Sequence, residues 1–467
     1  MKNKYSKGFF LLMLITSVGL TSCQVTNKYK TPKVDTEGLF RDENPTDSNS
    51  IADIAWREYF SDPILQTLIQ EGLTNNHDLK MAESRIKQAE AALGITRASY
   101  FPDVALVGQV DHSRASMGAE GKDVLGYKGT KYSLGVSASW ELDVWGKLNR
   151  QSRAKYAQFL NTQAYKNLIQ TSLIANIATS YYTLLALDAQ LRISKVTILL
   201  LQESTETMQA LMDAGMLNAA AVEQSKSYLF ATQVSIPDLE TQIWKTENSI
   251  SLLIGAKANK VARSSFATQQ VLTQMDHGVP AMLLSKRPDV QQAELNFRSA
   301  FEMTNAARAS FYPQIKLTSG TIGFGAASLS SFFKPENIFA SIVGGLVQPL
   351  FARKQLLGNL KITKAQQEEA LINFEKAVLN AGLEVSNILY GYESSLSKNS
   401  LRNNQVEALN NAVEFTKELL KAGEANYTEV LTAEQNLLQA QLNQVSDKLE
   451  QLQYSVNLYK ALGGGTE

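Results

Sequence analysis

The chain has 467 residues, enough for two or three ordinary domains or one large one. Its 45 basic residues balance 45 acidic ones, which argues against a general nucleic-acid-binding protein, because such proteins usually carry a basic excess. The single Cys excludes an internal disulfide and every metal motif that needs several Cys, and the three His residues lack metal-ligand spacing. We therefore expect no cofactor, no metal, no nucleic-acid partner and no enzymatic activity.

Residues 1–22 have the pattern of an export signal. Three Lys among the first seven residues precede an apolar stretch, Phe9–Leu20, which is too short to cross a bilayer as a helix. Small residues then precede Cys23, and this arrangement resembles the bacterial lipobox, in which the Cys becomes the lipidated first residue of the mature chain. An ordinary signal followed by a chance Cys is the alternative. Cys23 is the predicted lipidation site, and 23–61 is the predicted lipid-anchored N-terminal segment.

Two parts of the chain are similar to each other. Residues around 82–106 match residues 211 positions later, with Pro102 matching Pro313. Later landmarks match at a separation of 208, and among them Gly215 matches Gly423. Matching turn signals at nearly one separation predict two internal repeats. The predicted limits are 62–255 for the first repeat, 256–280 for a linker and 281–463 for the second repeat.

Each repeat has the same predicted layout. A helix ends at the Pro, two strand-like stretches follow, and two very long helices are joined at an Ala-Gly pair. The first long helix is predicted from Lys147 to Ala214, a stretch without Gly or Pro. In the second repeat, apolar residues step alternately by three and four from Leu371 to Tyr392 and again from Leu438 to Tyr459. This heptad pattern indicates that the helices pack lengthwise against each other.

Four strand-like stretches are predicted, at 103–111, 132–142, 314–325 and 337–348. In the second of them, large apolar residues alternate with Ser, Gly and Glu. This alternation is what a lipid-facing strand requires, although a strand of a soluble sandwich would alternate too. Four strands cannot close a barrel, and an open edge cannot face lipid. Membrane strands would therefore have to be pooled by several chains, and three chains would supply 12.

Several motifs follow one another in a fixed order along the chain. They lie at the start of the first repeat, at the two strand-to-helix junctions and at the start of the second repeat: Trp56, Phe60, Asp62 and Pro63; Trp140–Asp143 with Trp145-Gly146-Lys147; Gln348–Phe351; and Leu283–Val290, which contains Arg287, Pro288 and Asp289. On these motifs the chain resembles the outer membrane factor family, the TolC/OprM-type efflux lipoproteins of tripartite RND systems (NodT-like). The resemblance covers almost the whole mature chain.

The resemblance implies a mostly α protein with a transmembrane β part. Its long antiparallel α-helical barrel would continue into a trimeric 12-stranded β-barrel, with four strands from each chain. It further implies a homotrimer in the bacterial outer membrane, anchored in the membrane lipid and extending into the periplasm. This channel would passively conduct small molecules or drugs when docked to a periplasmic adaptor (membrane fusion protein) and an inner-membrane RND-type pump.

Two questions of function stay open at this point. Drug, metal and protein export share the same architecture, so the sequence does not name the substrate. A lipid-anchored periplasmic coiled-coil scaffold is the alternative function, because it would use the same heptads and the same Cys23. Such a scaffold does not explain four strand-like segments placed symmetrically in the two repeats.

The resemblance also singles out site residues. Relatives place inward-facing acids just after the Ala-Gly turn, where this chain has Glu429 and Thr432, which form the candidate periplasmic gate. Thr432 replaces the usual acid, and Glu429 keeps a carboxylate three residues earlier. Alternatively, Glu429 only complements the dipole at the start of its helix. Arg287 and Asp289, with Pro288 between them, are interpreted as a structural, turn-stabilising group rather than a transport site.

Overall fold

The computed structural model describes residues 26–34, 54–113, 129–270, 286–349 and 351–466. The predicted signal, Cys23 and part of the linker lie outside these ranges. Eight α-helices and four strands lie within them: α1 (Trp56–Tyr59), α2 (Pro63–Asn75), α3 (His77–Ala98), β1 (Asp103–Ser113), β2 (Gly129–Leu142), α4 (Lys147–Asp213), α5 (Ala219–Leu253), α6 (Pro288–Ala309), β3 (Gln314–Ala326), β4 (Ile338–Val347), α7 (Gln355–Lys421) and α8 (Tyr427–Ala461).

The two repeats contain the same elements with the same lengths. Helices α3 and α6 have 22 residues each, α4 and α7 have 67, and α5 and α8 have 35. Two residues after each 67-residue helix lies a Gly in the left-handed region, with φ of 75° at Gly215 and 76° at Gly423. Glycine adopts this conformation without steric penalty, which explains the Ala-Gly signal in the sequence. The prediction of a mostly helical, two-repeat chain is confirmed.

The described chain divides into two compact units. The first contains the described residues of 1–33, 87–161 and 294–373, and the second those of 34–86, 162–293 and 374–467. The division therefore cuts across both repeats, so that each unit receives matching parts of each one.

The first unit contains a four-stranded sheet with the order β1-β2-β3-β4. All neighbouring strands are antiparallel. The four strands begin and end within three residues of the predicted limits. Two register shifts, between Ala138 and Trp140 on β2 and between Leu317 and Ser319 on β3, were not predicted, because a bulge leaves the alternation of side chains largely intact in the sequence.

In the same unit, the N-terminal strap, residues 26–33, is seated on α6. The backbone N–H of Asn27 donates to Asn305 Oδ1 at 3.3 Å, and the Asn305 amide donates back to the Asn27 carbonyl at 3.2 Å. The Tyr29 hydroxyl donates to Glu294 Oε1 at 3.1 Å. These contacts join residues more than 260 positions apart in the sequence.

The second unit contains the main apolar core. Its largest fully buried side chains come from α2, α4, α5 and α8, and they include Leu65, Ile177, Tyr181, Ile250 and Tyr459. The predicted heptad residues of α7 within this unit are all buried: Phe374, Val378, Ala381, Val385, Ile388 and Tyr392. Lengthwise packing of the long helices is therefore confirmed where the seam was predicted.

No helix in the described ranges has the length and apolar character needed to cross a membrane.

Candidate functional sites in the sheet, the helix turns and the Arg-Pro-Asp segment

The sheet has one strongly apolar face. Antiparallel pairing places Leu106 opposite Val136, Val136 opposite Ile322, and Phe324 opposite Ile338, so side chains of the same polarity meet on each face. The apolar face contains Val104, Leu106, Val110, Tyr132, Leu134, Val136, Trp140, Leu142, Ile315, Leu317, Ile322, Phe324, Ile338, Ile342 and Leu346. Ile342 is 81% exposed and Leu106 is 73% exposed, so the described part of the chain leaves these side chains uncovered.

The opposite face is built mainly of small and polar residues on β1, β2 and β3. Gly135 pairs with Gly323 at its centre, and a Cβ on Gly323 would lie only 2.2 Å from the Leu134 carbonyl oxygen. Only glycine fits at such a close approach of two backbones. Among the described strands, β1 and β4 each have a neighbour on one side only, which leaves two open edges.

Aromatic residues gather where the strands meet the helices. The Trp140 indole N–H donates to the Tyr100 carbonyl at 2.9 Å, and the Trp145 indole N–H donates to the Pro313 carbonyl at 2.7 Å. The rings of Trp145 and Tyr312 are 5.1 Å apart between centroids. The Trp-Gly-Lys motif thus ties the start of α4 to the start of β3.

The candidate gate residues lie in the first turns of α8. Asn426 caps this helix by accepting from the Thr428 N–H at 3.3 Å. Glu429 is exposed and its carboxylate has no hydrogen-bond or ion-pair partner in the described part of the chain. The Thr432 hydroxyl donates to the Thr428 carbonyl at 2.7 Å. Glu429 and Thr432 lie on the same side of α8, one turn apart, but the two side chains do not bond to each other.

The residues next to Glu429 anchor the turn. Leu431 is buried with Met208 from α4 and Val222 from α5, and Tyr427 packs against the same cluster. The helix start that carries Glu429 is therefore fixed to the turn region of the first repeat, while Glu429 itself points away from that cluster and into solvent.

The Arg-Pro-Asp segment forms a compact group at the start of α6, whose first residue is Pro288. Arg287 is buried, and its guanidinium donates to Asp289 at 2.8 and 3.0 Å, to Glu384 at 2.6 Å and to the carbonyl of Ala461 at 2.7 Å. One side chain therefore joins the start of α6 to α7 and to the last turn of α8. Sequence reasoning found the local pair but not the two long-range partners, which have no signal in the segment itself.

The electrostatics of Asp289 follow from these contacts. Burial alone would raise the pKa of Asp289, but hydrogen bonds and the charge of Arg287, together with the Val290 N–H at 2.9 Å, outweigh it and hold the pKa below its usual 3.8. Asp289 is therefore ionised at neutral pH. Arg287 satisfies both the carboxylates and the helix-terminal carbonyl.

One buried acid, Asp62, was not predicted to accept several hydrogen bonds. Asp62 caps α2 by accepting from the Ile64 N–H at 2.8 Å, and it also accepts from the Tyr181 hydroxyl at 3.0 Å and from the Gln269 amide at 2.9 Å. Burial would raise the pKa of Asp62, but the Ser264 hydroxyl, which donates at 2.5 Å, and these other donors lower it overall. An Asp before a Pro at the first helical position signals a cap in the sequence, whereas the contact with the linker through Gln269 has no local signal.

Comparison with known proteins places these features in one family. The family model described as "Outer membrane efflux protein" matches residues 68–256 and 279–464, which together are more than half of the chain. The cation efflux system protein CusC of Escherichia coli is 27% identical over 462 residues, covering 97% of this chain and 99% of CusC. The pyoverdine export outer membrane protein OpmQ of Pseudomonas putida is 30% identical, covering 97% of both chains.

Solved structures share the fold. The outer-membrane channel OprN superimposes with a TM-score of 0.87 at 25% identity, covering 95% of this chain and 100% of OprN. The similarity extends over both repeats, including the four strands and the long helices. The chain therefore belongs to the outer membrane efflux protein family, and it is a protein of the bacterial outer membrane.

Proposed function

We propose that this chain is the exit duct of a tripartite efflux system, in which it conducts small molecules or ions passively from the periplasm to the exterior. The apolar face of the sheet carries this proposal. In the proposed assembly the face contacts lipid, and the small and polar face lines a water-filled lumen. The open edges of β1 and β4 would pair with neighbouring copies, because an unpaired backbone edge is too costly inside a bilayer.

The dimensions of the apolar face support a membrane span. Ten residue steps separate Tyr132 from Leu142, which at about 3.3 Å per step gives about 33 Å along the strand. A strand tilt of about 40° reduces this to about 25 Å across the membrane, the height of the apolar band in outer-membrane barrels. A coiled-coil scaffold gives no reason for such a face.

The proposed assembly is a homotrimer with a 12-stranded barrel. Edges β1 and β4 run antiparallel to each other, so β4 of one copy can continue into β1 of the next with the same ladder pattern. We expect mass measurement in a mild detergent to give three chains. A stable monomer that keeps the full strand content would contradict the barrel, whatever the role of the helices.

The proposed partners are a periplasmic adaptor and an inner-membrane RND-type pump. Two relatives support these partners by their names, which refer to a cation efflux system and to pyoverdine export. The two relatives are about equally similar to this chain, so similarity does not identify the cargo. A pull-down from cells with tagged protein, cross-linked before lysis, should recover an adaptor and a pump. Loss of export on deletion of this chain, with the pump still present, would test the duct role itself.

Cys23 is the proposed lipid anchor, and several acyl chains together would hold it firmly in the membrane. Cys23→Ala should abolish incorporation of labelled palmitate, while Cys23→Ala protein should still insert through its strands. Labelling that persists in Cys23→Ala would show that the lipid is attached elsewhere, and no labelling of the wild type would show that it is absent.

Glu429 is the proposed gate residue, with Thr432 one turn further along. Its exposure without a partner supports this role, because threefold symmetry would place three free carboxylates around one axis, where they attract cations. In single-channel recordings, Glu429→Gln should reduce cation selectivity, with Glu424→Gln in the same turn region as the control. Unchanged selectivity would leave Glu429 as a charge that complements the helix dipole.

Arg287, Pro288 and Asp289 are proposed to stabilise the fold rather than to take part in transport. They lie near the start of the second repeat; the proposed repeat limits are 62–255 and 281–463. The contacts of Arg287 with α7 and α8 support a role in holding the second repeat together. Conductance per assembled trimer should therefore be unchanged in an Arg287→Lys variant, while the yield of assembled trimer falls. A changed conductance per trimer, with an unchanged yield of assembled trimer, would indicate a role in transport.

A further inference from the structure

The connection between β3 and β4, residues 327–337, is a structured loop. It contains two short 3-10 turns, Leu329–Ser331 and Pro335–Asn337, and the Asn337 amide joins them by donating to the Ser331 carbonyl at 2.7 Å. Helices α3, α4, α6 and α7 all join the strands at the other end of the sheet. The loop therefore lies at the end of the sheet that is farthest from the helices.

Three Phe rings pack together where this loop meets the sheet. Phe324 lies on the apolar face of β3, opposite Leu134. Its ring centroid is 6.2 Å from that of Phe332 and 5.5 Å from that of Phe333, and the two loop rings meet edge to face at 5.0 Å. Ala326, on the same face, is buried. The loop thus folds over the apolar face instead of extending straight away from the strand ends.

One side of the loop is closed against the sheet, and the other is open and apolar. Phe332 is 7% exposed, whereas Phe333 is 71% exposed and Leu329 is 66% exposed. In water, the exposed side chains would leave a large apolar area without any stabilising contact, whereas the same area is favourable next to lipid. The polar end of the loop differs, because Lys334 Nζ lies 3.9 Å from Glu336 Oε1 and both side chains are exposed.

In the proposed trimer, the neighbouring copies do not cover this loop. They would pair edge to edge with β1 and β4, in line with the sheet. The loop rests on Phe324 of β3, and β3 has β2 on one side and β4 on the other within the same chain. The surface over β3 therefore stays on the outside of the barrel, together with Val136 and Ile322 on the same face.

We propose that this loop is an anchor in the outer leaflet of the outer membrane. The inference rests on the proposed function, since it takes the apolar face of the sheet to contact lipid. Phe333 and Leu329 contact the acyl chains near the head-group boundary, where aromatic side chains are favoured, and Lys334 and Glu336 stay in water. The lipid-facing surface of the second repeat thus continues beyond the end of β3.

A fluorophore attached to an introduced Cys can test which surroundings the loop has. Phe333→Cys and Glu336→Cys would each be labelled with nitrobenzoxadiazole in the full-length protein and reconstituted into phosphatidylcholine vesicles. Lipid with a nitroxide on the upper part of its acyl chain quenches labels in the membrane, and iodide quenches labels in water. Val136→Cys, in the middle of β2, is the control for the lipid-facing sheet, and the wild type carried through the same labelling gives the background from Cys23.

We expect the nitroxide lipid to quench the label of Phe333→Cys at least about threefold more than that of Glu336→Cys, and iodide to show the reverse order. Leu329→Cys should behave like Phe333→Cys, so that the result does not depend on one label position. Strand content measured by circular dichroism should be the same in all variants, because the replaced loop side chains are exposed.

The sheet control separates the two ways in which the inference could fail. If the nitroxide lipid quenches Val136→Cys but not Phe333→Cys, the apolar face contacts lipid and the anchor is overturned. Quenching of Phe333→Cys by iodide alone would place the loop in the external water, and quenching by neither agent would place it under protein. A label on Val136→Cys that the nitroxide lipid does not quench would contradict the lipid-facing sheet itself, and the anchor with it.

Discussion

The two long hairpins, α4–α5 and α7–α8, have the same lengths and the same turns but different chemistry between their helices. At four equivalent positions, 208 residues apart, the first hairpin carries neutral side chains and the second carries charges. The neutral set is Gln190, Ser194, Leu239 and Gln242, and the charged set is Lys398, Arg402, Asp447 and Glu450. In the second hairpin, Arg402 lies 2.7 Å from the buried Asp447, and Lys398 lies 2.7 Å from Glu450.

The same contrast between neutral and charged side chains recurs where α5 and α8 end. In the first repeat, the Asn76 amide donates to the Leu253 carbonyl at 2.9 Å. In the second, Arg287 donates to the equivalent carbonyl of Ala461 at 2.7 Å and is held by Asp289. Each repeat thus satisfies its helix-terminal carbonyl with the side chain of the residue just before α3 or α6, once with an amide and once with a guanidinium.

This comparison teaches that the hairpin geometry tolerates either neutral or charged side chains at these four positions, although the first hairpin has an ion pair of its own elsewhere, Lys195 with Glu240 at 3.4 Å. Neutral hydrogen bonds and apolar contacts are little affected by salt, whereas partly exposed ion pairs weaken as salt rises. Salt should therefore weaken the contacts at the four charged positions of the second hairpin more than those at their neutral counterparts in the first.

The largest difference in stability between the repeats is expected when the side chains that donate to the helix-terminal carbonyls are removed. Arg287→Ala should destabilise the protein by about 3 kcal/mol, because it leaves Asp289, Glu384 and a carbonyl without their donor. Asn76→Ala, which removes a cap and one hydrogen bond, should cost about 1.5 kcal/mol. Urea titration followed by circular dichroism measures both. Equal losses would mean that the charges of Arg287 add nothing to its hydrogen bonds.

A smaller loss of stability is expected when charged residues of the second hairpin are replaced by their neutral counterparts from the first. Asp447→Leu copies Leu239 of the first repeat and should cost about 2 kcal/mol, because Arg402 and Lys398 lose their shared partner. Replacing all four charged residues by their first-repeat counterparts should recover most of that loss and remove the salt dependence of unfolding. Thermal unfolding at low and high salt tests this. A quadruple variant that is less stable than Asp447→Leu alone would show that the two interiors are not interchangeable.

Acid should act on the second repeat through Asp289. Since the pKa of Asp289 is lowered in the folded protein, its contribution to stability is complete above the unfolded pKa of about 3.9 and is lost as the pH falls through the folded value. The side chain is 39% exposed, so solvent screening limits the effect to about 1 kcal/mol. Asp289→Asn should lose less stability than wild type between about pH 5 and pH 3. The same acid loss in both proteins would place the responsible group elsewhere.

The smallest difference is expected at the turns. Gly215 and Gly423 have nearly the same φ, and no atom lies within 4 Å of a Cβ built on either one. Ala at either position should cost about 1 kcal/mol from backbone strain alone, with no measurable difference between the two. Matched unfolding curves for the two variants check this. A clear difference would reveal that one turn makes contacts beyond this chain.

Local patterns in the sequence were sufficient to predict the elements and their repetition. Alternation along β2 identified the apolar face, and the absence of Gly and Pro after Lys147 gave α4 to within one residue. The partners of Arg287 and Asp62 could not be predicted, because a charged residue in a buried pair looks the same in sequence as one in solvent. Asp447 illustrates this: it lies between the seam positions Val445 and Leu449, where a surface charge is expected, yet it is 4% exposed.

The seating of the N-terminal strap sets an order of events during biogenesis. Asn27 and Tyr29 leave the ribosome early, whereas their partners Asn305 and Glu294 are synthesised more than 260 residues later. At about 5–20 residues per second, that interval is on the order of 15–50 s. Through this time the strap lacks its partners on α6, so the acylation proposed for Cys23 would take place beside an undocked strap. Docking of the strap then ends this interval only after most of the second repeat's first helix has emerged.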